Sequence, residues 1–178
     1  DLLLVGARPG AVAALSEKLL AASSANLLLV RGATPMPPAR FLIAVAVGEP
    51  GKEDVAFAGR LARHLGASAS VLSVLPPDAA ASEHGAAERF LAACVRTLAA
   101  LGVPAEPEVV LGEPGSVLGG RIAAAQDLVV LGAPPPDAEG RCAWSRSMRF
   151  LLDCGDSSPV LIVRAARGQG LEPAGDVE

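Results

Sequence analysis

Aromatic side chains are scarce in this 178-residue chain: four Phe, the single Trp144 and no Tyr. A surface that stacks bases on aromatic rings has little to draw on. The net charge of −4, with no basic stripe, removes the electrostatic case as well, so no nucleic-acid partner is expected. Cysteine is equally thin. Cys94, Cys142 and Cys154 make an odd set without CxxC or metal-ligand spacing, which suits a reducing cytoplasm. No run reaches the roughly 18 apolar residues a helix needs to cross a bilayer. The two histidines, His64 and His84, stand in no motif with Ser, Cys or Asp, and neither a G-x-S-x-G elbow nor a Walker lysine is present. No catalytic residue and no metal ligand is assigned, and no enzyme is expected.

What is abundant is apolar, alanine-rich sequence: 51% hydrophobic against 19% charged, the balance of a globular protein. The apolar runs are short and continuous rather than alternating, and helical patterns separate them, which predicts a parallel sheet covered on both faces. Strands are expected over 1–6, 26–31, 41–47, 70–75, 106–111, 127–132 and 159–164. Helices are expected over 11–22, from about Lys52 to Leu65, over 86–101 and 116–125, and from about Ser145 to Cys154. Glu53 and Asp54 fall in the first turn of the second helix and Arg60, Arg63 and His64 in its last, an arrangement that suits the helix dipole. Cys94 lies on an apolar helical stripe and reads as core. His84 falls in a loop with no partner nearby in sequence.

The chain carries the same text twice. Asp1-Leu-Leu-Leu-Val-Gly6-Ala7-Arg8-Pro9 matches Asp127-Leu-Val-Val-Leu-Gly132-Ala133-Pro134-Pro135, an offset of 126 residues. A second echo follows each copy: Asn26–Arg31 against Val160–Arg164. We read an internal duplication: 1–31 as the C-terminal β-α-β part of a first unit, 32–39 as a proline-rich linker, 40–166 as a complete unit, and 167–178 as a disordered tail.

The order of elements from 40 onward, with Phe41–Val47, Ala62-Arg63-His64-Leu65-Gly66-Ala67, Val109–Pro114, Asp127–Gly132 and Ser158–Arg164 at their spacings, resembles the universal stress protein family. The resemblance implies an open parallel five-stranded sheet of order 3-2-1-4-5 with helices on both faces, Rossmann-like and similar to the adenine nucleotide alpha hydrolases. It also implies a cytoplasmic location, dimers through the last strand, and ATP binding in one subgroup. Members also occur as cytoplasmic appendages of membrane transporters, which makes a transporter membrane domain in the same polypeptide one implied partner.

The ATP-binding subgroup carries an Asp near the end of the first strand, a Gly-Asp/Glu-Pro turn, and Gly-x2-Gly-x9-Gly-Ser/Thr after the fourth strand. Glycines there let backbone N–H groups cradle phosphates, and the hydroxyl donates from a helix start. This chain departs from the pattern. Ala46 stands where the Asp is expected, and Pro135, between Pro134 and Pro136, stands at the second glycine; three prolines remove three N–H donors and fix φ. The third glycine and the hydroxyl fall on Ser145 and Arg146, or with a one-residue slip on Arg146 and Ser147. The first copy has Pro9 at the second glycine and too short a loop before Ser16. Gly112-Glu113-Pro114 and Gly132 remain. Arg141, Arg146 and Arg149 surround the loop; they either replace the lost donors or meet water or a partner's carboxylates.

Two functions remain open. One is a non-enzymatic regulatory or interaction domain with a degenerate ATP motif and no cofactor. It would form a homodimer, or an intramolecular pseudo-dimer, through strands 26–31 and 159–164. The other is a sensor of an adenine nucleotide (ATP or AMP), a cyclic nucleotide or a cyclic dinucleotide. Its site, vestigial in the first case, would use Val47, Gly48, Val74, Gly112, Gly132, Ser145, Arg146 and Ser147.

Overall fold

Seven strands and five helices follow one another as β1 (Leu2–Gly6), α1 (Val12–Ala22), β2 (Asn26–Val30), β3 (Arg40–Ala44), α2 (Glu49–Leu65), β4 (Ser68–Leu75), α3 (Ala81–Ala100), β5 (Ala105–Leu111), α4 (Pro114–Ala123), β6 (Leu128–Gly132), α5 (Arg146–Cys154) and β7 (Val160–Val163). The computed structural model describes residues 2–8, 10–23, 25–30, 37–123, 127–154 and 158–164. The expected tail over 167–178 and most of the expected linker, 32–36, lie outside the described residues, as does Pro9.

All seven strands join one sheet, in the order β1-β2-β7-β6-β3-β4-β5. This corrects the five-stranded, all-parallel expectation. Every pairing is parallel except one: β2 runs antiparallel to β7, with Leu27 opposite Ile162, Leu28 opposite Leu161 and Leu29 opposite Val160. The physical reason for the larger sheet is the edge. Without β2, the fully buried run Val160–Val163 would present unpaired backbone groups to water. The main-chain N–H of Arg164 closes the seam by donating to Asn26 Oδ1 at 2.7 Å, while its guanidinium reaches the carbonyls of Leu20 and Ser23.

The strands are apolar on both sides because helices cover both. On one face, Val12, Ala13 and Leu20 of α1, Leu118 of α4, and Leu151 and Leu152 of α5 pack on Leu27, Leu29, Leu42, Val129, Leu131, Val160 and Ile162. On the other, Val55, Ala58 and Ala62 of α2 and Leu91, Cys94 and Leu98 of α3 pack on Phe41, Ile43, Val71, Leu128, Val130 and Leu161. Cys94 is core, as expected, and burial pushes its thiol pKa up. β5 is the opposite edge and accommodates Pro107, whose missing N–H would break an inner ladder. Asp127 fixes the start of β6 against β3 by accepting from the N–H groups of Ala39 and Arg40, both at 3.0 Å.

Three boundaries differ from expectation by three residues or more. β3 stops at Ala44, three residues early, because the chain turns through Gly48, at φ +133°, into α2. That helix begins at Glu49 with Pro50 in its first turn, where a proline's missing N–H costs nothing. α3 begins at Ala81, not 86: Glu83 reaches back to accept from the Ala80 N–H at 2.7 Å, one half of a capping box. His84 is therefore helical and does have a partner, Glu88 one turn on, at 3.5 Å. Among the described residues no helix is long and apolar enough to cross a membrane.

Candidate functional site

The carboxyl ends of the parallel strands carry the sequence-predicted residues, and four helices start there: α2 after β3, α3 after β4, α4 after β5 and α5 after β6. The turn Gly112-Glu113-Pro114 leads into α4, with the Gly112 N–H donating to Leu75 O at 2.8 Å. A Cβ at Gly112 would stand 2.8 Å from Val117 Cγ2, so glycine is needed for packing. Glu113 Oε2 accepts from Ser116 N at 2.8 Å and Ser116 Oγ at 3.2 Å. The Ser147 hydroxyl, then the Ser116 amide, hold the Glu113 carboxyl below its ordinary range.

The starts of α4 and α5 touch. A Cβ on Gly115 would lie 2.7 Å from Ser147 Cβ and 2.8 Å from its carbonyl group, so only glycine permits the approach. Ser145 caps α5, its Oγ accepting from Met148 N at 3.3 Å, and lies 3.1 Å from Ser147 Oγ. Between the two helix starts opens a cleft of about 480 Å³ lined by Glu113, Gly115, Ser116, Arg146, Ser147 and Phe150. The structure thus brings Arg146 and Ser147 together with the residues following Gly112. It does not bring Val47, Gly48, Val74 or Gly132 to this cleft. Val47 is exposed, Gly48 precedes α2, and Val74 packs into the core on the α4 side. Phe150, 70% exposed on a helix whose Leu151 and Leu152 are buried, was not singled out in the sequence; an aromatic off the apolar stripe was the available signal.

The three arginines behave differently from one another. Arg141 pairs with Asp137 at 2.8 Å and Glu139 at 3.0 Å, and Arg149 pairs with Glu17 at 2.7 Å. Only Arg146 has no carboxylate partner among the described residues. Arg141 and Arg149 thus follow the reading in which the loop's arginines meet carboxylates, here the chain's own.

The loop itself is closed. Pro136 pairs with Cys142 across an antiparallel bridge, and Asp137 accepts from the N–H groups of Glu139 and Arg141 at 3.1 and 2.7 Å. Its far end is tied to α1. The buried Trp144 donates from Nε1 to Ser16 Oγ at 2.8 Å and from its main chain to Glu17 Oε1 at 2.9 Å. The end of the loop after β6 thus holds α1 on the sheet.

Asp54 is the residue that sequence reasoning misplaced. It is not a solvated first-turn acid: it lies in the second turn of α2, 4% exposed, against Gly132, and its Oδ1 has no hydrogen-bond partner among the described residues. Burial, reinforced by Glu53, raises its pKa from 3.8 to about 7. The signal was present, since Gly51, Asp54, Val55, Ala58 and Ala62 share one buried stripe. A Cβ at Gly132 would collide with Asp54 Oδ2, so this glycine makes room for a carboxyl group. Gly132→Ala is therefore expected to cost about 1–3 kcal/mol by overpacking. In the Asp54→Ala background that cost should largely vanish in urea unfolding, and an equal cost in both backgrounds would separate the two residues.

No family model and no curated protein matches the sequence. Solved structures do. A putative universal stress protein from Pseudomonas aeruginosa UCBPP-PA14 matches with TM-score 0.63 and 20% identity, over 90% of this chain and 63% of that one. UspA from Lactobacillus plantarum matches with TM-score 0.62 and 17% identity, over 73% and 100%. The universal stress protein from Archaeoglobus fulgidus in complex with dAMP matches with TM-score 0.55 and 16% identity, over 72% and 98%. At these identities the chain shares with its universal stress protein neighbours a fold: a predominantly parallel sheet with helices on both faces.

Proposed function

We propose that the chain is a non-enzymatic, universal-stress-protein-like regulatory or interaction domain whose family-type triphosphate seat is closed. The observation that carries this is the loop after β6. Its prolines supply no donors, its turn is locked on Asp137, and Trp144 spends its N–H groups on α1. Asp54 over Gly132 adds a carboxyl group where a phosphate would have to approach. The cleft between α4 and α5 sets Glu113 against Arg146, a balance of charge that suits a polyphosphate poorly.

Residues 2–30 enter the same reading. In the longer Pseudomonas chain the match extends over 90% of this sequence, against 73% for the shorter Lactobacillus chain. Together with the repeated text, this supports a tandem origin, with the β2–β7 seam as an internal version of a dimer contact. The domain would act in the cytoplasm by contact with a regulated partner; a transporter membrane domain in the same reading frame is the partner the family resemblance suggests.

One observation favours a nucleotide-sensing alternative. Arg146, without a carboxylate partner among the described residues, lines one cleft with the exposed Phe150 and Ser147, a set able to take one phosphate and one base, and a neighbour of this fold is known in complex with dAMP. Titration calorimetry with ATP, AMP and cyclic AMP decides between them. The expected result is no heat of binding up to about 1 mM ligand, a binding free energy weaker than about −4 kcal/mol. Micromolar binding abolished by Arg146→Glu would replace the proposal with the sensor.

A further inference from the structure

The duplicated strand is finished in one copy and unfinished in the other. β6 is flanked on both sides, by β7 and by β3, and its residues Leu128, Val129, Val130 and Leu131 are no more than 3% exposed. The matching residues of β1 are Leu2, Leu3, Leu4 and Val5. β1 pairs only with β2, and Leu2, Leu3 and Leu4 are 46%, 37% and 65% exposed. Val5 and Ala7 pack toward the α1 side of the sheet, while Leu4, opposite Leu28, points to the face where α2 covers Leu128 and Val130 in the other copy. Over Leu2 and Leu4 no helix lies among the described residues. An exposed edge strand of three leucines without charge, proline or bulge is unprotected against pairing.

We infer that the outer edge of β1 is a docking site for a strand–helix unit of the β3–α2 kind, its strand parallel to β1 and its helix over Leu2 and Leu4. The register follows from β3 on β6, where Phe41, Leu42, Ile43 and Ala44 face Leu128, Val129, Val130 and Leu131. Carried across the repeat, a phenylalanine or similar residue faces Leu2, and a β-branched residue faces Leu4. The occupant is not this chain's own β3, nor a second copy's, because β3 is held between β4 and β6. A second copy offers its β1 edge, which brings no helix, and its β5 edge, which Glu106, Pro107 and Glu108 guard against pairing. The inference stands whether or not the cleft at Arg146 takes a nucleotide.

The repeat itself supplies the probe. Residues 37–126 lead into Asp127 as a second copy of them, fused directly ahead of Asp1, would lead into β1. In that fusion the amides of residues 2–6 are expected to exchange at least about 10-fold more slowly than in the parent chain, with the protein monomeric by sedimentation. Leu4→Lys should lower the melting temperature of the fusion by several degrees and leave that of the parent unchanged, since the side chain is exposed there. Unchanged exchange at residues 2–6, including the case of a fused copy that does not fold, overturns the inference. So does a Leu4→Lys effect equal in both chains. A parent chain that already dimerises with its β1 amides protected, and is returned to monomer by Leu4→Lys, assigns the edge to a second copy instead and equally overturns it.

Discussion

At pH 8, Asp54→Asn is expected to be more stable than the parent by roughly 4 kcal/mol, and at pH 4 the two should be nearly equal. The sign follows from where the proton sits. In the unfolded chain Asp54 titrates near its ordinary 3.8; in the folded chain burial first, and Glu53 second, raise it to about 7. Between these values the folded state holds a proton that the unfolded state has released, so stability falls as pH rises through that window. Above about 7 the folded chain carries a nearly inaccessible carboxylate, one oxygen of which has no hydrogen-bond partner among the described residues, and the full penalty applies. Asparagine keeps the shape and cannot ionise, so its unfolding free energy should show a flatter profile from pH 4 to 8. Urea unfolding at four or five pH values reads this directly. Parallel profiles for parent and variant would mean that Asp54 is charged in the folded chain and paired by something outside the described residues.

The elements were legible in the sequence because each rests on a local rule. Continuous apolar runs as short as Leu128–Leu131, stopped by a glycine, read as strands buried on both faces, and glycines such as Gly66, left-handed at φ +67°, close helices. The Pro134–Pro136 segment was legible for the same reason: three missing N–H donors are visible in the letters. What was not legible depends on partners far apart in the chain. The five-stranded expectation failed because nothing local to Asn26–Val30 says that it will pair antiparallel with Val160–Val163, more than a hundred residues away. Asp54 was assigned to a helix dipole because the helix start was misplaced: Gly48-Glu49-Pro50 read as a turn, although proline in a first turn favours a helix. Moving the start to Glu49 carries Asp54 past the first turn and onto the stripe of Val55 and Ala58. The arginines show the complementary limit. Spacing placed Arg141, Arg146 and Arg149 near one loop, but whether each meets a carboxylate depended on Asp137, Glu139 and Glu17, the last of them on α1.

Trp144→Ala is expected to cost about 3–5 kcal/mol, the range for emptying a buried aromatic site. The residue is 8% exposed and sits in the core cluster with Val12, Ala13 and Leu20 of α1. Its removal takes away packing and the Nε1 bond to Ser16 together. Ser16 still donates to Ala13 O at 2.8 Å, so the loss is chiefly of contact and volume. Trp144→Phe keeps a six-membered ring and should cost less, the lost bond contributing about 1 kcal/mol and the smaller ring a partial cavity. The consequence should be regional. α1 is held by Trp144, by the Arg149–Glu17 pair, and by Asp153, whose Oδ1 accepts from Ala13 N at 2.9 Å. With Trp144 gone, the amides of residues 12–22 should exchange faster than those of α2 and α3, by more than the loss of global stability accounts for. Uniform acceleration across all helices would instead make Trp144 an ordinary core residue, and the loop after β6 would lose its part in holding β1, α1 and β2 on the sheet.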